Sequence, residues 1–563
     1  MVLRKWGLLL SSILLALIFA SMAIIPPAPQ SGTIAADRFS SARAMTDLRI
    51  IAAKPHPTGS DENAKVREYL SMRLDSLGLK VNLGEGELGE RALKRLNKWS
   101  GENKSEQAIF NVIGILPGTD VSKPAVLLMA HHDTVWDSPG AADDTVGIVS
   151  ILEIVRALKE SGPHERGLIV LFTDGEEVGL SGARHFFSSN PLRDKVGAVI
   201  NFEARGGGGT ANLFQTSKQN GAAMRVFAKA VKQPSASSLS TFVYNVLPND
   251  TDLTPALEGD YTAYNIANIG GAEYYHSPKI EVEALDERTL QHMGSQGLDL
   301  TRALLAADTL PDKKPDATFF DVFGLATIIY APFWGWIFLG LAGLCYGLSL
   351  KGEIRTKEIL SGAVKMLIFF GLGGGLLYGL NVMSGSGAGA NYYDRLAAIR
   401  KLEGLAVFFC AAAFFAVFGP KALTVNARLG AALPLFLLGI VGQAFAPTAT
   451  YFISLPLMLC GFKSLMMQRW PSHIGTKLAV VILTAGVAGY MIALGHLLML
   501  GIGPDLLSVS ILPAALAALV ILPLYEGVKK KTAYFLAMTA LLVSAAIALW
   551  VRLDPIAATI PLY

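Results

Sequence analysis

The chain has 563 residues, 52% of them hydrophobic and only 17% charged, with a formal net charge of +3. That is too apolar for an ordinary soluble protein, and no Lys/Arg cluster is interleaved with aromatics, so nucleic-acid binding has no support. The three cysteines, Cys345, Cys410 and Cys460, all lie in apolar runs, which excludes disulfides and thiolate metal ligands from the polar half of the chain.

The first element is an apolar run over 7–25, preceded by Arg4 and Lys5 and ended by Pro26-Pro27. Its length suits a transmembrane helix. We read it as an uncleaved anchor within 1–30; the rival reading is a signal peptide, because Ala20-Ser21-Met22-Ala23 offers small residues for cleavage. Either one exports the region after it. Residues 35–315 have ordinary globular composition and are numerous enough to build their own core.

Within that region, helical patterns run over 62–77, 146–159 and 222–231. The second places Ile148, Ile151, Leu152, Val155 and Leu158 on one face. Short continuous apolar runs at 125–130, 168–173 and 197–202 read as strands buried on both faces. Strands alternating with helices predict an α/β fold, a mostly parallel mixed sheet flanked by helices. Each strand is followed by acidic or imidazole groups: His131-His132-Asp133, then Asp174-Gly175-Glu176-Glu177, then Glu203. Sites in open α/β sheets form beyond the carboxyl ends of the strands, so three such groups in one relative position argue against chance. Asp143-Asp144 precede the helix at 146, where one can cap it while the other faces the site. His276 follows another apolar stretch and counts only together with the other four groups.

Histidines and carboxylates without cysteine suit Zn²⁺, and less selectively Mn²⁺ or Co²⁺. With this many carboxylates, two ions can share one. In Glu176-Glu177, one Glu can hold metal while its neighbour stays free as a base. Asp133 is suited to orient the His131 imidazole.

From about 320 the chain is a series of apolar runs, at 324–349, 360–382, 404–419, 429–445, 448–462, 478–501, 507–525 and 532–551. These predict a membrane domain over 320–563 with about eight spans. With a cytosolic N-terminus, the cytosolic links carry Lys351, Arg355 and Lys357; Lys421 and Arg428; Lys463, Arg469 and Lys477; and Lys529, Lys530 and Lys531. The opposite links at 446–447 and 502–506 carry none, as the positive-inside rule expects. Only 383–403, with Arg395, Arg400 and Lys401, breaks the pattern. Nine spans with an exported C-terminus are the result, and the 35–315 domain lies outside the cytosol. Lys365 can snorkel to a cytosolic end. His496 is expected to make a helix-packing hydrogen bond.

One set of motifs, in order, carries a resemblance: Pro55-His56-Pro57-Thr58-Gly59-Ser60, Asn111-Val112-Ile113-Gly114, His131-His132-Asp133, Gly140-Ala141-Ala142-Asp143-Asp144, Asp174-Gly175-Glu176-Glu177-Val178-Gly179-Leu180, Asn201-Phe202-Glu203-Ala204 and Tyr275-His276-Ser277-Pro278. The sequence resembles the M28 family of zinc aminopeptidases, and within it the branch of endoplasmic-reticulum metallopeptidases and vacuolar membrane proteases. The resemblance implies two zinc ions, one on His131, Asp143 and Glu203, the other on Asp143, Glu177 and His276. It implies Glu176 as general base, Asp133 as the residue orienting His131, and a strained peptide after Asp143, with Asp144 off the metal. It also implies peptide or protein substrates cleaved at the non-cytosolic face of a lipid bilayer, which short loops lead us to expect is a bacterial inner membrane with the enzyme facing the periplasm. The sequence departs from the family at Ile280, where an Asp is usual, and at His132, read as a wall residue; His56 is read as part of a structural turn. The alternatives are a glutaminyl cyclase-like enzyme with one zinc and a non-enzymatic membrane scaffold.

Overall fold

The computed structural model describes residues 2–554 apart from Lys351, Glu353, Ala388 and Ala390. It divides into two compact units: Ile25–Ile329, and the N-terminal helix together with residues 330–554.

The first unit is built on a seven-stranded sheet of β1 (Lys80–Glu87), β2 (Ala108–Leu116), β3 (Ala125–His131), β4 (Leu168–Thr173), β5 (Val196–Ala204), β6 (Gly208–Thr216) and β7 (Thr262–Gly270), in the order β1-β2-β4-β3-β5-β7-β6. The four central strands β4, β3, β5 and β7 are parallel, while β1, β2 and β6 join antiparallel at the edges. Every residue of β3 and β4 is buried. This is why both read in sequence as unbroken apolar runs instead of alternating ones. Helix Thr145–Lys159, with all but Arg156 and Lys159 buried, is capped by the Asp144 carboxylate, which accepts the Gly147 amide at 3.2 Å. It packs with helix Glu287–Leu305 in the main core. Helix Asp61–Ser76 starts on a Ser60 cap, and Gly221–Ala230 matches the third helical pattern.

A buried histidine in this core makes a pH prediction. His292 Nδ1 accepts the Ala211 amide at 3.1 Å and Nε2–H donates to the Gln233 carbonyl at 2.9 Å, which fixes a neutral ring. Burial lowers its pKa to about 4. A depressed histidine contributes stability that is complete above its unfolded value of about 6.5 and is lost as pH falls towards 4, on the order of 3 kcal/mol in all. His292→Gln should therefore melt below the wild type at pH 7, with the gap narrowing by pH 4.5. Parallel melting curves across that range would contradict the assignment.

The expected span over 324–349 is shorter than the sequence suggested. A hairpin of β8 (Thr318–Asp321) and β9 (Thr327–Tyr330) occupies its first part, and the helix runs only over Trp334–Ser349. Phe323 and Gly324 take positive φ in the turn, where the Gly324 amide donates to Asp321. Pro332 then holds the residue before it out of helical geometry.

In the second unit a helix lies under each of the other expected spans: Val2–Ile24, the continuous stretch Thr356–Met383, then Ile399–Val417, Val425–Phe445, Tyr451–Arg469, Ile474–Ile502, Ile511–Ile521 and Lys530–Leu553. Among the described residues five are long and apolar enough to cross a membrane, from Lys5, Thr356, Val425, Ile474 and Lys530 onward. The N-terminal helix belongs to this bundle. At Gly489 an added Cβ would lie 2.7 Å from the Ala16 carbonyl, so the two helices touch backbone to backbone, as small residues permit in bilayers. His496 pairs with Glu403 on the neighbouring helix Ile399–Val417, the packing bond expected of it.

Lys463, expected in a cytosolic link, instead lies inside helix Tyr451–Arg469 and is fully buried. Its ammonium donates to Thr484 Oγ1 at 2.7 Å and to the Val520 carbonyl. Val520 is one residue from the end of helix Ile511–Ile521, three residues before Pro523, so the lysine caps a carbonyl near the helix end. Lys351 and the C-terminal residues after 554, both used in the topology reading, lie outside the described residues.

Candidate metal centre

The parallel strands deliver the site at one edge. His131 ends β3; Asp174 to Glu177 come directly after β4; Glu203 is the second-last residue of β5; His276 lies six residues beyond β7. Asp143 comes from the turn before helix Thr145–Lys159. All five expected ligands are buried and converge. Asp143 Oδ1 lies 3.0 Å from His131 Nε2, and its other oxygen, Oδ2, 3.1 Å from His276 Nε2. Glu177 Oε2 is 3.3 Å from His276 Nε2, and Glu203 Oε2 is 4.0 Å from His131 Nε2.

The backbone around these groups is unusual. The Asp143–Asp144 peptide is cis, and His276 has φ +51°, a conformation held by its surroundings, with its ring stacked on Tyr275 at 3.8 Å. At Gly140 (φ +64°) an added Cβ would lie 2.4 Å from Thr134 Cγ2 and 2.7 Å from the Asp143 carbonyl. Gly140→Ala must therefore displace Asp143, and we expect zinc affinity to fall about 10- to 100-fold. Unchanged affinity in a chelator competition would refute this.

The electrostatics favour bound cations. His131 Nδ1–H donates to the Asp133 carbonyl at 2.9 Å. A neutral His131 therefore turns its Nε2 lone pair towards Asp143, and two acceptors 3.0 Å apart need a proton or a metal between them. Burial, then repulsion from neighbouring acids, pushes the Glu203 carboxyl up to about 8. The same causes hold Glu176 and Asp144 well above the usual carboxylate range and raise Glu177. For Asp143 burial acts upward too, but the two imidazoles outweigh it and bring the group to about 2.

These residues fit a divalent metal. Glu177 Oε1 and Asp144 Oδ2 are buried without a hydrogen-bond partner among the described residues. Donor atoms of His131, Asp143 and Glu177, and of His131, Asp144 and Glu203, lie within 4.8 Å of one another. Ligand atoms about 2.0–2.1 Å from a tetrahedral ion stand roughly 3.3 Å apart, close to the spacings here.

Part of the chain is similar to known proteins. Residues 111–301 match the model of peptidase family M28. The chain carries a peptidase family M28 domain. It is 32% identical to a vacuolar membrane protease of Eremothecium gossypii over 53% of this chain and 31% of that protein. It is 29% identical to endoplasmic reticulum metallopeptidase 1 of Mus musculus over 50% of this chain and 33% of that one. The chain thus spans about a third of the length of these relatives. A solved zinc aminopeptidase from Bacillus subtilis aligns at 15% identity and TM-score 0.38, over 49% of this chain and 98% of its own.

At three residues of the M28 domain the structure adds what the sequence does not carry. The Asp133 carboxylate stands 3.7 Å from His131 Nδ1; the main-chain carbonyl of Asp133 takes that proton instead. Asp144, expected off the metal, caps its helix with one oxygen and leaves the other open beside His131 and Glu203. Asp252 is fully buried, accepts from Thr173 Oγ1 and leaves Oδ1 without a partner among the described residues. Burial, with neighbouring acids, raises it to about 6. Single acids on loops carry no sequence signal that would separate them from solvated ones. His132 Nε2–H donates to the Phe110 carbonyl and His56 Nδ1–H to the Lys54 carbonyl. Ile280, in the place of the usual Asp, is buried in the core.

Proposed function

We propose that the chain is a membrane-anchored metallopeptidase that holds two zinc ions and removes N-terminal residues from peptides on the non-cytosolic side, in a bacterial inner membrane. The reading rests on Asp143, whose two oxygens each face a different imidazole, as a carboxylate shared by two metals does. His131, Asp143 and Glu203 would hold one ion, and Asp143, Glu177 and His276 the other. When bound, the zinc ions polarise the scissile carbonyl and acidify a water. Glu176, half-buried and beside the ligand Glu177, takes the proton of the attacking water and returns it to the leaving amine. The Asp133 carboxylate keeps the turn that carries both glutamates in register, accepting the Glu176 amide at 3.0 Å and the Glu177 amide at 3.2 Å. Asp252 and the other surrounding acids favour a cationic substrate end, which is the free amine of a peptide.

Metal analysis of the purified full chain, together with digestion of a peptide library, tests this reading. Two zinc ions per chain and cleavage that stops when the N-terminus is acetylated are expected. One zinc per chain with cyclisation of N-terminal glutamine would replace the reading with a glutaminyl cyclase, and a metal-free, inert chain would leave it without support.

A further inference from the structure

We propose that Thr58 is a positioning residue for the metal centre, acting through two buried carboxylates that set the turn bearing Glu176 and Glu177; this rests on the metallopeptidase reading above. Thr58 is 2% exposed. Its hydroxyl lies 3.1 Å from Asp133 Oδ2 and 3.1 Å from Asp174 Oδ1, two residues 75 and 116 positions away. Both carboxylates anchor the same turn. Asp133 accepts the amides of Glu176 and Glu177. Asp174 starts the turn, and its other oxygen accepts the Phe110 amide at 3.0 Å, which ties the turn to β2. One hydroxyl, with a single proton to share, therefore sits between the Asp133 carboxylate and the Asp174 carboxylate at the root of the Glu176-Glu177 turn.

The segment that carries Thr58 is rigid. Gly59 has φ +77°, the Ser60 amide closes a turn onto the Pro57 carbonyl, and the Ser60 side chain caps helix Asp61–Ser76. The His56 amide donates to Thr134 Oγ1 at 3.1 Å, pinning the segment beside Asp133. A donor held this firmly limits the positions open to two carboxylates that repel each other. Without it Asp133 keeps only the two amides of the turn it is meant to hold, and the pair Asp133–Asp174 can part. The expected consequence is a Glu176–Glu177 turn that wanders relative to Asp143 and His276.

Thr58→Val keeps the shape and removes the donor. In the full chain, zinc affinity by chelator competition and kcat should each fall about 10- to 100-fold with KM little changed, and Thr58→Ser should restore most of both. If Thr58→Val fails to fold, Thr58→Cys, whose thiol is a weak donor, takes its place in the same comparison. Wild-type zinc affinity and kcat in the valine or cysteine variant would overturn the proposal, as would a serine variant as impaired as the valine one, which would place the effect in the methyl group. Zinc affinity separates this from the function itself: a wild-type chain that binds zinc but cleaves no peptide sinks the peptidase reading while the affinity comparison still decides the role of Thr58.

Discussion

Glu176→Gln is expected to keep its zinc and lose roughly 10²- to 10⁴-fold in kcat, the usual contribution of a positioned general base. Glutamine preserves the volume of the side chain, and the main-chain amide still donates to Asp133 Oδ1, so the turn and the neighbouring ligand Glu177 stay where they are. What is lost is the ability to take and return a proton. The surroundings of Glu176 suit a proton carrier. Burial, together with Glu203, Glu177 and Asp252, holds its carboxyl well above the usual carboxylate range, the direction that favours a group able to take up a proton. Zinc analysis alongside steady-state kinetics separates this from a binding defect. Loss of zinc with loss of turnover would make Glu176 a ligand, and an unchanged kcat would move the base elsewhere, with Asp252 the first residue to examine.

Asp143→Ala is expected to empty both metal positions and abolish hydrolysis. Asp143 meets His131 and His276 at 3.0 and 3.1 Å, one with each carboxylate oxygen. Removing it leaves Glu203 4.0 Å from His131 and Glu177 3.3 Å from His276, with the carboxylate that touched both rings gone, too few close donors for two closed zinc shells. The fold should survive, because the substitution takes one charge out of a crowded group of acids. The measurement is thermal stability with and without zinc. Zinc at about a thousand times its dissociation constant adds about 4 kcal/mol to a protein that binds it only when folded, so the wild type should gain a clear upward shift and Asp143→Ala almost none. A variant that still takes up one zinc would show that Asp144, whose free oxygen lies beside His131 and Glu203, can complete one site alone.

Much of this centre can be read without coordinates. β3, β4 and β5 are apolar along nearly their whole length because both faces are covered, so each stands out, and the residues at the carboxyl end of each land on the same edge of a parallel sheet. That rule alone groups His131, Glu177 and Glu203. The edge strands β1, β2 and β6 are mixed in character and pass unnoticed, and the β8–β9 hairpin is hidden by an apolar run continuous with the helix after it. The placement of Lys463 fails for a related reason: hydropathy takes a lysine as the end of a span, whereas a buried lysine is tolerated where a helix end offers it a carbonyl.

The amino-acid sequence on its own determined the fold class, the division into a polar and an apolar half, and the residue types that meet at the sheet edge, because these depend on local hydrophobic pattern and on strand direction. Only the tertiary structure decided that Asp133 serves the Glu176–Glu177 turn, that Asp252 and Thr58 belong to the site, and that Asp143 stands between two imidazoles. Those contacts join residues as far as 133 positions apart, and hydrogen bonds of that kind are set by how the elements pack, to within a fraction of an ångström, which no periodicity along the chain encodes.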